Sequence, residues 1–240
     1  MGTPDFRFKQ FTIRHDRSAM KVGTDGVLLG AWCDSPTVNS QPSTVNCLDI
    51  GTGTGLIALM LAQRFPHAKI IGIDIDDASI EQARENVESS PFKTQISILK
   101  QDFKNIDSFS NKYDVIVSNP PFYTEDTLSG KTARDTARHT TSLPFETLVE
   151  NAAKLLTKEG LFSVIIPYQS AADFISICVA NRLYLTRRVN IRSKESKPFN
   201  RVMLEFCPII RPAETSTLTL YDNNGQRTTD YTQLTQAFYI

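Results

Sequence analysis

The stretch DIGTGTG at residues 49–55 decides the fold, because it joins two segments whose apolar side chains repeat with different periods. Residues 45–50 form a short apolar run that is typical of a buried strand, and residues 55–65 carry apolar side chains at helical spacing. Glycines at alternate positions permit a tight turn between the two and let a ligand approach the backbone closely. The stretch therefore predicts a strand, a ligand-binding turn and a helix in succession.

The same alternation of strand-like and helix-like patterns extends to residue 166. It predicts a mostly parallel α/β sheet with right-handed crossovers and helices on both faces. Two later apolar segments predict an antiparallel hairpin that closes one edge, and two short segments predict small strands outside the core. The further strands are expected at 69–75, 95–99, 113–118 and 160–166, a helix at 77–89, the hairpin at 183–191 and 200–206, and the small strands at 6–13 and 217–221.

Length and composition indicate an ordinary globular protein. The chain has 240 residues, 26 basic and 26 acidic side chains, and 40% hydrophobic residues, which argues against disorder, coiled coils and a uniformly polybasic binder. The apolar run 56–62 is far shorter than the ~20 residues that span a bilayer. We expect no membrane segment, a cytoplasmic location, an N-terminal extension at 1–44 that covers cofactor or substrate, and one catalytic domain at 45–240.

The four cysteines are too widely spaced for a zinc cluster or a disulfide framework. Each lies in an apolar run, so we expect inert, buried thiols and no bound metal. They are Cys33, Cys47, Cys178 and Cys207.

An acidic residue at the end of the next strand suggests what binds the glycine turn. Asp74 lies 23 residues after Gly51, where its carboxylate could accept hydrogen bonds from both hydroxyls of a ribose, and Ile75 is expected in the same site. A purely structural strand-to-helix turn is the alternative. The pattern D-x-G-x-G-x-G differs from the G-x-G-x-x-G of dinucleotide sites, which need a helix N-terminus for pyrophosphate. We therefore favour S-adenosylmethionine (SAM) over a nicotinamide dinucleotide.

The glycine pattern resembles motif I of class I SAM-dependent methyltransferases. That resemblance implies that Asp49 faces the methionine end of SAM, with Gly51, Gly53 and Gly55 forming the turn beneath it. It also implies that Asp102 holds the adenine amino group of SAM and that Phe103 covers the adenine ring.

The tetrapeptide NPPF after the fourth strand carries the predicted chemistry. The amino group of adenine is a poor nucleophile, because its lone pair is delocalised into the ring. Hydrogen bonds from that amino group to the Asn119 side-chain oxygen and the Pro120 carbonyl would localise the lone pair, provided that they strengthen in the transition state. Pro121 stiffens the turn, and Phe122 offers a face on which the base can stack. A rigid turn without catalytic function is the alternative.

Three further segments resemble one bacterial family, the tRNA-1-Val (adenine 37 N6)-methyltransferases. They are MKVGTDGVLLGAW at 20–32, ARH at 137–139 and KPFNRV at 197–202. Membership implies a Rossmann-like class I methyltransferase fold, with a seven-stranded, mostly parallel sheet whose last strand is antiparallel. It also implies SAM as methyl donor and adenine 37 in the anticodon arm of a valine tRNA as substrate. By this resemblance Lys21, Gly23, Thr24 and Asp25 lie near the cofactor; a helix N-cap is the other interpretation of Asp25.

Basic side chains are concentrated in residues 182–201, which contain seven cations and one acid. With a methylation site for nucleic acid in the same chain, we expect this segment to bind phosphates, although a solvated hairpin would have the same composition. Two more residues, Arg138 and His139, are candidates through the family resemblance. The predicted RNA contacts are Arg138, His139, Arg187, Arg188, Arg192, Lys194, Lys197 and Arg201.

Three other functions remain open at this point. The same NPPF site could methylate a glutamine amide of a protein, or adenine in DNA, because both pose the same problem of a delocalised nitrogen lone pair. A non-catalytic RNA-binding module is the third alternative. We also expect a monomer, and an irregular segment at 123–143 that is long enough to have a function of its own.

Overall fold

The computed structural model describes residues 5–17, 21–36, 44–105, 111–121 and 143–240. Strands and helices alternate through most of these residues, as the sequence predicts. The strands are β1 (Phe6–Arg7), β2 (Thr12–Ile13), β3 (Asn46–Ile50), β4 (Lys69–Asp74), β5 (Ile96–Lys100), β6 (Tyr113–Ser118), β7 (Leu156–Pro167), β8 (Tyr184–Arg192), β9 (Arg201–Cys207) and β10 (Glu214–Thr219). The helices are α1 (Thr24–Trp32), α2 (Leu56–Arg64), α3 (Asp77–Glu88), α4 (Phe145–Leu155), α5 (Ala171–Ala180) and α6 (Thr229–Thr235), with a 3₁₀ turn at Tyr168–Ser170.

Eight of these strands form one sheet in the order β10-β8-β9-β7-β6-β3-β4-β5. Every pairing is parallel except those of β9, which runs antiparallel to both β7 and β8. Strands β3 to β9 are the seven predicted for a class I methyltransferase, and the antiparallel one is the last of them in the chain. The predicted fold class is confirmed, with one strand more than expected.

Successive strand residues point to opposite faces of the sheet, and this alternation divides the interior into two cores. On one face, Cys47 and Val115 pack with residues of α1, α2 and α3. On the other face, Leu48 and Ile116 pack with residues of α4 and α5. Because the central strands are buried on both faces, they read in the sequence as continuous apolar runs, and they were predicted correctly for that reason.

Two glycines let α1 approach α2 closely. A Cβ atom on Gly30 would lie 2.8 Å from the sulfur of Met60, and one on Gly26 would lie 3.1 Å from a methyl carbon of Leu56. Helix α2 is therefore covered on its outer side as well, which explains why every residue from Leu56 to Ala62 is buried. This contact brings the residues before α1 to the same end of the molecule as the glycine turn.

The predicted hairpin is present as β8 and β9, but it does not close the sheet. Residues 217–221 were expected outside the core, whereas 214–219 form β10 and pair in parallel with β8. The expectation was wrong because Leu218 is the buried residue in a run whose first four residues are exposed, so the apolar pattern of a core strand is missing. The pairing is driven by the backbone hydrogen bonds that the edge of β8 offers.

The N-terminal segment packs against the C-terminal end of the chain. Strands β1 and β2 form a separate two-stranded sheet, as expected for 6–13, and Phe8 forms an isolated bridge with Tyr239. The amide of Lys9 also donates to the carbonyl of Phe238 at 2.8 Å. The division of the chain into an N-terminal extension at 1–44 and a catalytic domain at 45–240 stays a prediction.

All four cysteines are buried, as predicted. Burial raises the pKa of the Cys33 thiol to about 12, which keeps it protonated and unreactive. Within the described ranges, no helix is both long enough and apolar enough to cross a membrane.

Candidate active site

Predicted site residues lie at the carboxyl ends of neighbouring strands. Asp49 is next to last in β3, Asp74 ends β4, Asp102 lies two residues after β5 and Asn119 follows β6 directly. In the sheet these four strands are adjacent, in the order β6-β3-β4-β5. The topology therefore brings the three acids and the asparagine to one edge, where ligands of open α/β sheets bind.

The glycine turn adopts a conformation that other residues rarely take. Gly51, Gly53 and Gly55 have φ values of 71°, 55° and 81°, in the left-handed region. The amide of Gly53 donates to Oδ2 of Asp74 at 2.9 Å, and the amides of Gly51 and Thr52 both donate to the carbonyl of Ile73. The turn is thus held against the end of β4 by hydrogen bonds.

Asp49 is completely buried beneath this turn. Its Oδ2 accepts hydrogen bonds from the Thr52 hydroxyl at 2.6 Å and from the Ala58 amide at 3.2 Å. Its Oδ1 has no hydrogen-bond partner among the described residues. Burial raises the pKa of this carboxyl to about 7, against the opposing effect of the two hydrogen bonds. A buried acceptor without a partner suits a ligand that supplies a cation or an N–H donor.

The side chains near the predicted adenosine end differ in exposure. Ile75 is 42% exposed, which is unusual for a large aliphatic residue beside a buried strand. Asp102 is exposed, and its Oδ1 accepts a hydrogen bond from the Lys104 amide at 2.9 Å. Phe103 is 3% exposed and packs in the core on the α4 side. The assignment of this ring to the adenine of SAM stays a prediction, and the exposed apolar side chain at this edge of the sheet is that of Ile75.

The first residues of the NPPF segment lie beside the glycine turn. Ser118, the last residue of β6, pairs with Ile50 and donates a hydrogen bond from its hydroxyl to the Ile50 carbonyl at 3.0 Å. Asn119 is partly buried, Pro120 is buried and Pro121 is exposed. The backbone therefore leaves the sheet at Asn119, directly next to the start of the turn. Phe122 lies outside the described residues.

An asparagine that the sequence analysis missed ties the N-terminal segment to the turn. Asn86 of α3 is buried and exchanges two hydrogen bonds of 2.9 Å with the backbone of Arg14. Its side-chain nitrogen also donates to the carbonyl of Thr54 at 2.9 Å. The signal in the sequence was weak, because Asn86 lies between Ala83 and Val87 on a buried helix face that also carries the polar residues Ser79 and Gln82.

Two further buried side chains, His15 in the N-terminal segment and Gln82 in α3, also bind the backbone of that segment. Nδ1 of His15 accepts a hydrogen bond from the Val22 amide, and Oε1 of Gln82 accepts one from the Arg17 amide. The opposite nitrogen of His15 and the amide nitrogen of Gln82 are buried without a partner in the described part of the chain. These contacts hold Lys21 and Gly23, the residues that the resemblance assigns to the cofactor, at the start of α1.

Asp25 is not the N-cap of α1. Gly23 occupies that position, Thr24 begins the helix, and no side chain caps it. Asp25 instead accepts a hydrogen bond from Nε of Arg201 at 2.8 Å, in a partly buried ion pair. The pair joins α1 to the first residue of β9, so the guanidinium of Arg201 is bound to protein and not left to solvent.

Arg187 makes contacts within the protein that the sequence did not predict, and its assignment as an RNA contact stays a prediction. Its guanidinium binds both carboxylate oxygens of Glu205, at 2.8 and 2.5 Å, and Glu205 is 3% exposed. The guanidinium also lies 4.3 Å from the ring centroid of Trp32 and donates to the Trp32 carbonyl. The sequence could not reveal this, because the acid that neutralises Arg187 lies eighteen residues later, on the neighbouring strand.

Arg138 and His139 lie outside the described residues. Among the residues that the structure does describe, no group of three or more histidine, cysteine, aspartate or glutamate side chains is arranged to hold a metal ion.

Comparisons with known proteins find methyltransferases. Residues 42–205 match the family model described as a methyltransferase domain. The chain is 44% identical over 240 residues to the tRNA1(Val) (adenine(37)-N6)-methyltransferase of Phocaeicola vulgatus. The alignment covers 100% of this chain and 99% of the relative. It is 39% identical to the protein of the same name from Pectobacterium carotovorum, over 98% of this chain and 93% of the relative.

Solved structures share the fold at lower sequence identity. A predicted O-methyltransferase from Agrobacterium tumefaciens superposes with a TM-score of 0.69 at 17% identity, covering 89% of this chain and 96% of the other. A putative class I S-adenosylmethionine-dependent methyltransferase from Listeria monocytogenes gives 0.55 at 15% identity, covering 81% of this chain and 62% of the other.

Proposed function

The chain belongs to the family of tRNA1(Val) (adenine(37)-N6)-methyltransferases, and we propose that it transfers a methyl group from SAM to N6 of adenine 37 in a valine tRNA. The observation that carries the proposal is the position of Asn119 and Pro120, which leave β6 beside the glycine turn after β3. Both the base-activating acceptors and the cofactor loop then lie at one edge of the sheet.

SAM fits the side chains at this edge. When bound, it supplies an electrophilic methyl group on a sulfonium. Oδ1 of Asp49, buried without a partner in the described residues, would accept a hydrogen bond from the cationic methionine end, and Asp74 would accept from the ribose hydroxyls. Ile75 would pack on the adenine ring, and Asp102 would accept from the adenine amino group. The glycines at 51, 53 and 55 would allow close approach, and Lys21, Gly23 and Thr24 would cover the site.

Asn119 and Pro120 would prepare the nucleophile. Their two oxygens accept the two N–H groups of the target adenine and favour a pyramidal nitrogen, whose lone pair points at the methyl group. Asn119 and Pro120 would hold this nitrogen toward the methyl group that SAM would supply from its sulfonium, and the proton that the nitrogen gives up would go to solvent. Positioning supplies most of the acceleration, since no strong base is required.

The substrate adenine must leave its stack to reach Asn119, which suits a base in an anticodon loop. Stacking on Phe122 and contacts from Arg138 and His139 remain predictions. So do the valine specificity, the monomeric state and the cytoplasmic location.

The proposal is tested by incubating the purified protein with labelled SAM and unmodified valine tRNA, followed by nucleoside analysis. We expect N6-methyladenosine at one position. Absence of that nucleoside, or label that appears in a protein glutamine instead, would overturn the proposal.

The role of Asn119 is tested by Asn119→Ala. We expect kcat to fall ~10²–10³-fold, as when one charge-stabilising hydrogen bond is removed, while the affinity for SAM stays within about twofold. Asn223→Ala, at an exposed asparagine in the turn after β10, is the matched control and should behave as wild type. Wild-type turnover by Asn119→Ala would remove this residue from the mechanism.

A further inference from the structure

Ion pairs within the protein neutralise three of the seven cations in residues 182–201. Arg187 binds Glu205, Arg192 lies 3.8 Å from Glu195, and Arg201 binds Asp25. In the described residues, Arg182, Arg188, Lys194 and Lys197 have no acidic partner within 4 Å. Arg182 precedes β8 and lies at the far edge of the sheet, whereas Lys194 and Lys197 lie in the turn at the edge that carries Asn119.

Arg188 lies between those edges, on a polar face of the sheet that β10 widens. In the register of β8 and β10, alternate residues of each strand lie side by side and point the same way. On one face of this strand pair the side chains are polar. The first four residues of β10 are exposed. We call this surface the arginine–threonine face; it consists of Arg188, Asn190 and Arg192 of β8 with Thr215, Thr217 and Thr219 of β10.

Two aromatic rings support the arginines of this face. The guanidinium of Arg188 lies 5.5 Å from the ring centroid of Tyr168, and that of Arg192 lies 5.4 Å from the ring of Phe199. The two rings are 5.4 Å apart and tilted by 31°. Tyr168 directly follows β7, so the support reaches the edge of the sheet that carries the active site.

The Arg188 guanidinium is held in place yet keeps donors available. Its Nε donates to Oδ1 of Asn190 at 2.8 Å, and its two terminal nitrogens make no hydrogen bond to the described residues. A guanidinium that is fixed at Nε and stacked on an aromatic ring is preorganised to bind a phosphate through its two terminal nitrogens. Arg192, by contrast, donates to Thr219 and to the Glu195 carbonyl, so it shapes the surface more than it binds.

The face lies within reach of the target adenine. Strand β8 is three strand spacings from β6, which at ~4.8 Å per spacing gives about 14 Å between them. A few nucleotides of an RNA strand span that distance, whereas the base being methylated does not.

We propose that the arginine–threonine face binds the RNA strand beside the target adenine, with Arg188 gripping a phosphate and the threonine hydroxyls donating to neighbouring phosphate or sugar oxygens. The proposal rests on the proposed function, because it needs an RNA substrate at Asn119. Arg188 has no acidic partner within 4 Å among the described residues and lies beside the small hydroxyl side chains of β10, an arrangement that complements a phosphate backbone.

The first test is Arg188→Gln, with Arg211→Gln as matched control. Arg211 is an exposed cation between β9 and β10, at the opposite edge of the sheet. We expect Arg188→Gln to raise KM for tRNA about tenfold, since a charge-assisted hydrogen bond is lost, with the effect on KM and not on kcat. The slope of log KM against log salt should fall by ~0.7–0.9, as for one lost phosphate contact. Arg211→Gln should change neither quantity.

The second test needs no change to the arginine. Thr217→Glu places an acid on the arginine–threonine face, and Ser216→Glu places the same acid on the other face of the same exposed strand. We expect the first variant alone to raise KM for tRNA, by about tenfold or more, because like charges repel. SAM affinity, measured by calorimetry, should match that of the wild type in both variants. A matching affinity shows that each variant is folded.

The outcomes separate the two proposals. If wild type methylates tRNA but Arg188→Gln and Thr217→Glu match their controls in KM and salt dependence, the RNA-binding face is overturned and the proposed function stands. If wild type methylates a protein and not tRNA, both fall. If Thr217→Glu raises KM and Ser216→Glu does not, the face is supported even where Arg188→Gln is unstable.

Discussion

Replacing Arg187 tests whether its partner is Glu205 or RNA. In Arg187→Gln the carboxylate of Glu205, which is 3% exposed, keeps the Thr186 hydroxyl at 3.0 Å and a weak contact with the Ser163 hydroxyl at 3.5 Å. Removing one partner of a buried pair costs about 3–5 kcal/mol, and because the Arg187 side chain is 27% exposed we take the lower value, ~3 kcal/mol. For a chain of this length, that lowers Tm by ~6–12 °C.

The assay is thermal unfolding together with tRNA methylation kinetics. Arg188→Gln is the control on the adjacent residue and should change Tm by no more than about 1 °C, because Arg188 is half-buried and pairs with no acid among the described residues. Replacing Arg187 and Glu205 together with methionine should recover most of the lost stability, because no uncompensated charge is left. An unchanged Tm for Arg187→Gln, with a KM for tRNA raised as in Arg188→Gln, would refute the structural role and return Arg187 to the RNA interface.

Three further predictions concern the cofactor site. Because burial raises the pKa of Asp49 to about 7 and a cationic ligand favours the ionised form, SAM affinity should fall by up to ~10-fold per pH unit below pH ~7; calorimetry of Asp49→Asn should show no such dependence. In Gly72→Ala the new Cβ would lie 2.8 Å from Oγ1 of Thr52, so we expect weaker SAM binding and a lower Tm; wild-type binding would contradict the role of Thr52 in holding Asp49. Ile75→Ala should weaken SAM binding about fivefold through lost apolar contact, and an unchanged Kd by calorimetry would place the adenine elsewhere.

Local patterns in the chain predict the cofactor loop well. A turn with left-handed φ at three positions needs glycine, so the spacing of Gly51, Gly53 and Gly55 marks it directly. Strands buried on both faces need continuous apolar runs, which is why the amino-acid sequence alone predicts β3, β4, β6 and β7.

Exposed or half-exposed elements were harder to predict. Strand β10 lacks an apolar period because its residues pair through backbone groups, which every residue type carries. The burial of Phe103 and the exposure of Ile75 likewise depend on which helix covers each strand end. The residues next to Phe103 and Ile75 in the chain do not reveal which helix packs over each strand end.

The sequence by itself determined the α/β class, the glycine turn and the NPPF segment, because a left-handed turn, a doubly buried strand and a stiff Asn-Pro turn each demand particular residue types at fixed spacing. Only the tertiary structure decided what each arginine does. Arg187 and Arg188 are adjacent and chemically identical, yet strand alternation sends one to the buried carboxylate of Glu205 and the other to a surface beside Tyr168. A charge count treats both alike, since the partner that neutralises a side chain is set by the pairing of distant strands.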